Sequence, residues 1–223
     1  MSELTRGQLA FKRVAFGTLV SVFAAGLQLS AASGQSQSQT QPCASLVGPH
    51  DVAANIFAEG NEAYKIHNYA EAMRLFQDAA RQGNALAQYA VGNMYARGEG
   101  AAQDYTEALR WYHEAADQGS AFAQVDIGVF YQDGRGVPQD YVEAMRWFRM
   151  AADCNFAEAQ RAIGGLYLSG RGVPRDLSQA RNWFEKAAAG GNTDAKRMIE
   201  LIQRADDGDE SAKRMLELLQ LQR

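Results

Sequence analysis

The sequence predicts an all-α fold, a solenoid of antiparallel helix pairs, on three observations. Tyr69, Tyr105, Tyr141 and Leu177 stand 36 residues apart and open blocks in which the same residue types return to the same places. Alanines and aromatics recur at helical spacing within each block: Ala72, Ala108, Ala144 and Ala180; Phe76, Tyr112, Phe148 and Phe184; Ala79, Ala115, Ala151 and Ala187. All three tryptophans, Trp111, Trp147 and Trp183, share one column, where the first block has Leu75. A period of this length marks an array of supersecondary units, none of which can bury its apolar face without a neighbour.

Residues 1–32 read as a signal peptide. Arg6, Lys12 and Arg13 precede a mostly apolar run from Val14 to Leu29, which gives way to the small residues Ser30, Ala31, Ala32 and Ser33. These are the basic, apolar and cleavage segments of an export signal, with cleavage expected after Ala32. The run is slightly short of the ~20 residues a spanning helix needs, and an uncleaved N-terminal anchor is the alternative. Cleavage removes three basic residues and one acidic, leaving 19 and 25, a net charge of −6. That sign argues against nucleic acid or anionic lipid as the general partner, and no membrane insertion is expected after cleavage.

Residues 33–50 are expected to form a disordered Gln/Ser-rich linker, since Gly34 to Pro42 is almost wholly Gln, Ser and Thr with nothing to bury. The chain has two cysteines, Cys43 and Cys154. Export would favour a disulfide, but the stacked repeats between them argue against bridging distance, and no intramolecular bridge is expected. Residues before Cys43, namely Thr40, Gln41 and Pro42, also lack the small-residue context of a lipoprotein site.

Each block reads helix, loop, helix. The second helix carries an amphipathic stripe, as in Tyr105, Ala108, Tyr112 and Ala115, with Glu107 and Arg110 on the other side. Asn68 with Glu71, Asp104 with Glu107, Asp140 with Glu143 and Asp176 with Gln179 predict reciprocal capping boxes at its start. Gly83, Gly119 and Gly191, with Asn155 in the third block, predict left-handed residues just past its end. The first helix runs through Ala87, Val91 and Tyr95, repeated as Ala123, Ile127, Tyr131 and as Ala159, Ile163, Tyr167. Gly92, Gly128 and Gly164 interrupt it at roughly 1 kcal/mol each relative to alanine, which close approach of the partner helix would explain. The interhelix loops Gly134 to Asp140 and Gly170 to Asp176 share Gly, Arg, Gly, Val, Pro and Asp. The earlier version, Gly98 to Asp104, has Ala101 and Ala102 in place of Val-Pro and is expected to be the loosest.

At these residues the chain resembles the Sel-1-like repeat family, a branch of the tetratricopeptide-type α-solenoids. The pattern of helix glycine and tyrosine, then Gly-x-Gly-Val-Pro-x-Asp, then Ala-x-x-Trp-aromatic-x-x-Ala-Ala-x-x-Gly is matched fully from Ala121 to Gly191 and more loosely from Ala85 to Gly119. Residues 85–191 thus read as three Sel-1-like repeats. Residues 51–84 resemble instead an ordinary tetratricopeptide unit, on Gly60-Asn61-Glu62-Ala63-Tyr64 followed by Tyr69, Ala72, Phe76 and Ala79. Residues 192–223 read as C-terminal capping helices, because Glu200 replaces the helix glycine, Gln203 the tyrosine, and a short motif from Asp194 recurs from Ser211. The resemblance implies a right-handed solenoid whose first helices line a concave face. On that face the candidate groove residues are Asn61, Lys65, Tyr89, Asn93, Arg97, Val125, Val129 and Arg161. Asn, Lys and Arg there suit a peptide backbone or carboxylate, and Tyr89 and Val125 offer apolar contact.

No catalytic or metal constellation assembles, and no cofactor is expected. His50, His67 and His113 are dispersed, no two at ligand spacing, and there is no Gly-x-Ser-x-Gly elbow or phosphate loop. His113 is expected on an exposed face. Asp206-Asp207-Gly208-Asp209-Glu210 lacks the alternating oxygen ligands of a calcium loop. The column Arg74, Arg110 and Arg146 reads most simply as surface pairs with acidic neighbours, an anion-binding stripe being the alternative. The expected function is a noncatalytic protein-interaction scaffold, periplasmic or secreted, that binds a protein or peptide segment. It would assemble an envelope complex or restrain a membrane sensor. A cell-wall or β-lactam-directed hydrolase and a secreted effector of host proteins are the alternatives; relatives linked with penicillin binding staple each repeat with a cysteine pair that this chain lacks.

Overall fold

The computed structural model describes residues 52–221, which hold ten α-helices and no strand. The signal segment, the linker, His50 and Cys43 lie outside the described residues. The helices are α1 (Val52–Lys65), α2 (Tyr69–Arg81), α3 (Ala85–Arg97), α4 (Tyr105–Asp117), α5 (Ala121–Asp133), α6 (Tyr141–Asp153), α7 (Ala157–Ser169), α8 (Leu177–Ala189), α9 (Thr193–Asp206) and α10 (Glu210–Leu221). Odd-numbered helices are the first of each pair. Helices α1, α3, α5 and α7 each pack chiefly on the helix that follows, and α3, α5 and α7 less extensively on the one before, whereas α9 packs more on α8 than on α10.

The second helices begin where their caps dictate. Asp104 accepts from the backbone N–H of Thr106 at 2.9 Å and of Glu107 at 3.0 Å, and Asp140 accepts likewise from Val142 and Glu143 at 2.8 and 3.0 Å. Asn68 and Asp176 make the corresponding bond to Glu71 and Gln179. The reciprocal half of the predicted boxes is replaced by something else. Glu71, Glu107 and Glu143 turn toward Arg74, Arg110 and Arg146 at 2.6, 2.9 and 3.0 Å, because the cap N–H groups already donate to backbone carbonyls, Asn68 to Ala63 O, Asp104 to Tyr95 O and Asp140 to Tyr131 O, and the arginine offers a charged donor instead. The arginine column therefore forms surface pairs, each worth about 0–1 kcal/mol while solvated.

Past the helix ends, Gly83, Gly119 and Gly191 adopt φ of 85°, 85° and 91°, and Asn155 adopts 56°. The left-handed turn was legible at all four positions.

The helix glycines are explained by the aromatic column. A β-carbon on Gly92 would lie 2.6 Å from the ring of Tyr112, one on Gly128 2.5 Å from Phe148, one on Gly164 2.8 Å from Phe184, and one on Gly60 2.6 Å from Phe76. Each ring lies against bare backbone of its partner helix, and all four rings are at most 2% exposed. Burying each one contributes roughly 1.5–3 kcal/mol, more than the glycine costs. Around them the alanine columns are completely buried, as are Val91, Ile127 and Ile163.

The loop from Gly98 to Asp104 is built like its later copies. Asp104 N–H donates to Tyr95 O at 3.0 Å, and the equivalent bonds at Asp140 and Asp176 measure 2.8 and 3.0 Å. Gln103 Nε2 also donates to Ala96 O at 2.8 Å, as Gln139 does to Gln132 O at 2.8 Å. The expected looseness has no counterpart in these bonds, since backbone and glutamine supply them and Val-Pro takes no part.

Two smaller expectations are corrected. His113 is half-buried, edge-on to Trp147 with centroids 5.1 Å apart, because the tryptophan of the next unit reaches back over it. Cys154, the C-cap of α6, is disulfide-bonded, whereas no bridge was expected.

Beyond α8, Ile202, Ala205, Ala212 and Leu216 form one cluster with Phe184 and with Leu168 of α7. The outward side chains Met215 and Leu218 are exposed.

Candidate binding groove

Position along a first helix decides which side chains escape the pair interface. Residues three before the helix glycine, one after it and five after it stand on one helical face. In α3 these are Tyr89, Asn93 and Arg97, and the structure places them in two hydrogen-bonded groups. Tyr89 donates its hydroxyl to Oδ2 of Asp126 on α5 at 2.9 Å. Asn93 Nδ2 donates to the carbonyl of Tyr89 at 3.1 Å, while its Oδ1 accepts from the hydroxyl of Tyr112 at 3.1 Å. Arg97 Nη1 donates to the hydroxyl of Tyr64 at 3.3 Å, and Tyr64 in turn donates to Oε2 of Glu99 at 2.7 Å. Charge joins the two groups, since the Arg97 guanidinium acts on the Asp126 carboxyl, and together they form a polar network over α1, α3 and α5.

Burial sets its electrostatics. Burial pushes the Asp126 carboxyl up to about 6, against the opposing pull of the Tyr89 hydroxyl and the Arg97 and Arg135 guanidiniums. Tyr89 is raised well above its ordinary value by burial and by the charge of Asp126. Tyr64 is pushed up to about 12 by burial and its bond to Glu99. Arg135, from the loop after α5, pairs with Asp133 at 2.7 Å. The site thus presents a partly desolvated carboxyl between two guanidiniums, each with a carboxylate neighbour.

The remaining candidates do not join the network. Asn61 is half-buried on α1, and Lys65 is exposed and paired with Glu62 at 2.7 Å. Val125 and Val129 are partly buried against the core of the third and fourth pairs. Arg161 is half-buried and makes no ion pair among the described residues. An aromatic line runs beside them at the helix starts. The ring of Tyr89 lies 5.7 Å from Tyr112 and 5.8 Å from Phe122, and Phe122 meets Phe156 edge-on at 4.8 Å.

Asp126 was missed, although a signal existed. Its column reads Ala58, Ala90, Asp126, Ala162, so a charge replaces alanine in one repeat alone. The hydroxyl of Tyr112 is likewise the single polar group in an otherwise phenylalanine column, and Asn93 answers it. Among the described residues no cluster of His, Cys, Asp and Glu is arranged to hold a metal, and no helix is long and apolar enough to cross a membrane.

A family model described as Sel1 repeat matches residues 52–84, 85–120, 121–156 and 157–192. It takes in the first unit as well, where the sequence resembles a tetratricopeptide. Among solved structures, the chain is similar to c5321, titled a protective antigen present in uropathogenic Escherichia coli strains and displaying an SLR fold. The two are 39% identical with a TM-score of 0.61, over 64% of this chain and 32% of that one. It is also similar to a Sel1 repeat protein from Oxalobacter formigenes, at 34% identity and a TM-score of 0.62, over 68% of this chain and 63% of that one. The chain thus matches less than two thirds of the length of either protein. No curated protein matches it.

Proposed function

Because this chain belongs to the Sel1 repeat family, whose members are generally scaffolds for protein–protein interaction, we propose that it is a noncatalytic adaptor of the bacterial envelope that takes a partner segment along its first-helix face. The observation that carries this reading is the hydrogen bond from Tyr89 to Asp126. It joins neighbouring repeats on that face and, with Arg97 and Tyr64, lines up donors and acceptors across three successive units. A partner running across the repeats would meet this polar centre with half-buried Val125 and Val129 beside it, and with Lys65 and Arg161 farther out along the face. Such a layout suits an extended or helical segment that anchors apolar side chains and satisfies its backbone or carboxylates on the polar groups. Export supports an envelope partner, since the N-terminal pattern of basic, apolar and small residues is that of a signal peptide.

The test is recovery of the partner by variants. Asn93 and Arg97 are poor first choices, because each answers a tyrosine hydroxyl in the network. Lys65→Ala and Arg161→Ala remove groups that hold no tertiary bond among the described residues, Lys65 pairing there only within its own helix. The pair of substitutions is expected to cut partner recovery while leaving the melting temperature unchanged. Normal recovery by both variants would refute the groove assignment.

A further inference from the structure

Two columns of the repeat flank the left-handed glycine that ends each of α3, α5 and α7, and in two of these three places they form a charge pair. After α3, Arg97 faces Glu99 at 4.0 Å across Gly98. After α5 the signs are exchanged, and Asp133 holds Arg135 at 2.7 Å across Gly134. After α7 the cation is kept and the anion is lost: Arg171 stands in the column of Arg135, and Ser169 in that of Asp133. The serine does not answer the guanidinium, because its hydroxyl donates to the carbonyl of Gly165 at 2.8 Å.

A second negative charge is missing as well. The Arg135 guanidinium also acts on the buried carboxyl of Asp126, whereas one repeat on the Asp126 column holds Ala162, which is half-buried. Arg171 is held in place all the same. Its backbone N–H donates to Leu166 O at 3.2 Å, as that of Arg135 does to Phe130 O at 2.9 Å, and its guanidinium lies over the ring of Tyr141 on α6, 5.4 Å from the centroid. The residue is half-buried, its Nη2 is enclosed by protein without a hydrogen-bond partner, and it makes no ion pair among the described residues. A guanidinium taken partly out of water without a carboxylate costs free energy that an incoming anion offsets. Arg161, next to Ala162 in the chain, is likewise half-buried and without an ion pair among the described residues. Helix α7 and its loop thus carry Arg161, Arg171 and Arg175 against Glu158, since Asp176 is committed to capping α8. This cationic stretch stands in a chain of net charge −4.

We infer that the fourth helix pair is the acidic-residue subsite of the groove. A glutamate or aspartate of the partner segment sets its carboxylate over Ala162 and against Arg171, as Asp126 and Asp133 do for Arg135 within the third pair. Nη2 is closed off by the protein, so the carboxylate meets the other N–H groups of the guanidinium, and Arg161 lies beside it for a second acidic residue. The inference rests on the adaptor reading above and names the chemistry of the partner: an acidic protein segment, chosen by charge complementarity.

Binding of short synthetic peptides to the purified chain tests the subsite. The probes are a peptide of alternating leucine and glutamate and the same peptide with glutamine for glutamate, followed by the arginine Nε–H signals of isotope-labelled protein. The glutamate peptide is expected to shift the signals of Arg171 and Arg161 saturably. It is expected to bind on the order of tenfold tighter than the glutamine peptide, the worth of one charge-assisted contact. Arg171→Gln is expected to abolish that preference. So is Ser169→Asp, which keeps the arginine and gives it the carboxylate that Arg135 has. Arg146→Gln, on a second helix, is expected to retain the preference. Equal binding of the two peptides by the wild-type chain, or a preference that survives in Arg171→Gln and Ser169→Asp, would overturn the subsite. Crosslinking in cells separates this failure from failure of the adaptor reading. A partner captured from a first-helix position as well by Arg171→Gln as by wild type would leave the groove standing without this subsite, whereas no first-helix capture by wild type would remove both.

Discussion

Tyr89 and Asp126 belong to adjacent repeats, and the hydroxyl of one donates to the carboxyl of the other at 2.9 Å. This contact turns two stacked pairs into one continuous polar face. It also places a titratable group where the solvent reaches it poorly, which gives the face a measurable signature.

The Asp126 carboxyl is raised from 3.8 to about 6, so the folded state holds this proton more tightly than the unfolded chain. Its contribution to stability is full below pH 4 and is lost as pH rises through about 6. Asp126→Asn keeps an acceptor for Tyr89 and removes the titration. Relative to wild type, the variant is expected to gain about 1–2 kcal/mol between pH 4 and pH 7.5, discounted for the group's partial exposure. Thermal unfolding of both proteins at the two pH values checks it. A difference that does not change with pH contradicts the assigned titration.

Two helix glycines predict opposite outcomes. Gly128→Ala pushes a β-carbon to 2.5 Å from the ring of Phe148, and is expected to destabilise by about 1–3 kcal/mol despite better helix propensity. Gly165→Ala meets nothing within 4 Å and is expected to stabilise by up to about 1 kcal/mol. Denaturant melts of the two variants separate packing from propensity.

Asn93→Ala leaves the buried hydroxyl of Tyr112 without its acceptor and is expected to cost about 1–3 kcal/mol. Combining it with Tyr112→Phe removes both groups and is expected to recover much of that loss. A double variant as unstable as the single one would show that the pair is not coupled.

Asp140→Ala removes a cap that serves two backbone N–H groups and is expected to cost about 1 kcal/mol. Arg146→Ala breaks a surface pair with Glu143 and is expected to cost under about 0.5 kcal/mol. Urea unfolding of both variants ranks the cap above the ion pair, or refutes the ranking.

The helix starts, the left-handed ends and the close helix approach at the interior glycines were legible because each rests on local chemistry repeated several times, while the rings that press on those glycines emerged only in the structure. The polar face of α3 was legible in part. Tyr89, Asn93 and Arg97 share a helical face, so periodicity alone brings them together. Asp126 escaped notice because it lies one residue past the column of Tyr89 and matters through a contact between repeats, which no single-repeat pattern displays. The disulfide at Cys154 was misjudged for a related reason: separation along the sequence says little about separation in space. Glu71, Glu107 and Glu143 show the limit of motif reading, since the capping-box letters are present while the carboxylates serve arginines instead.

The most direct test of the scaffold reading is site-specific photocrosslinking in intact cells. Photoreactive residues go at positions 61, 65 and 161 on the first helices and at 110 and 146 on the second, with the captured protein identified by mass. One partner captured from the first-helix positions and not from the second-helix positions is the expected result. Equal capture of that partner from positions 110 and 146 would contradict a binding face built on the first helices.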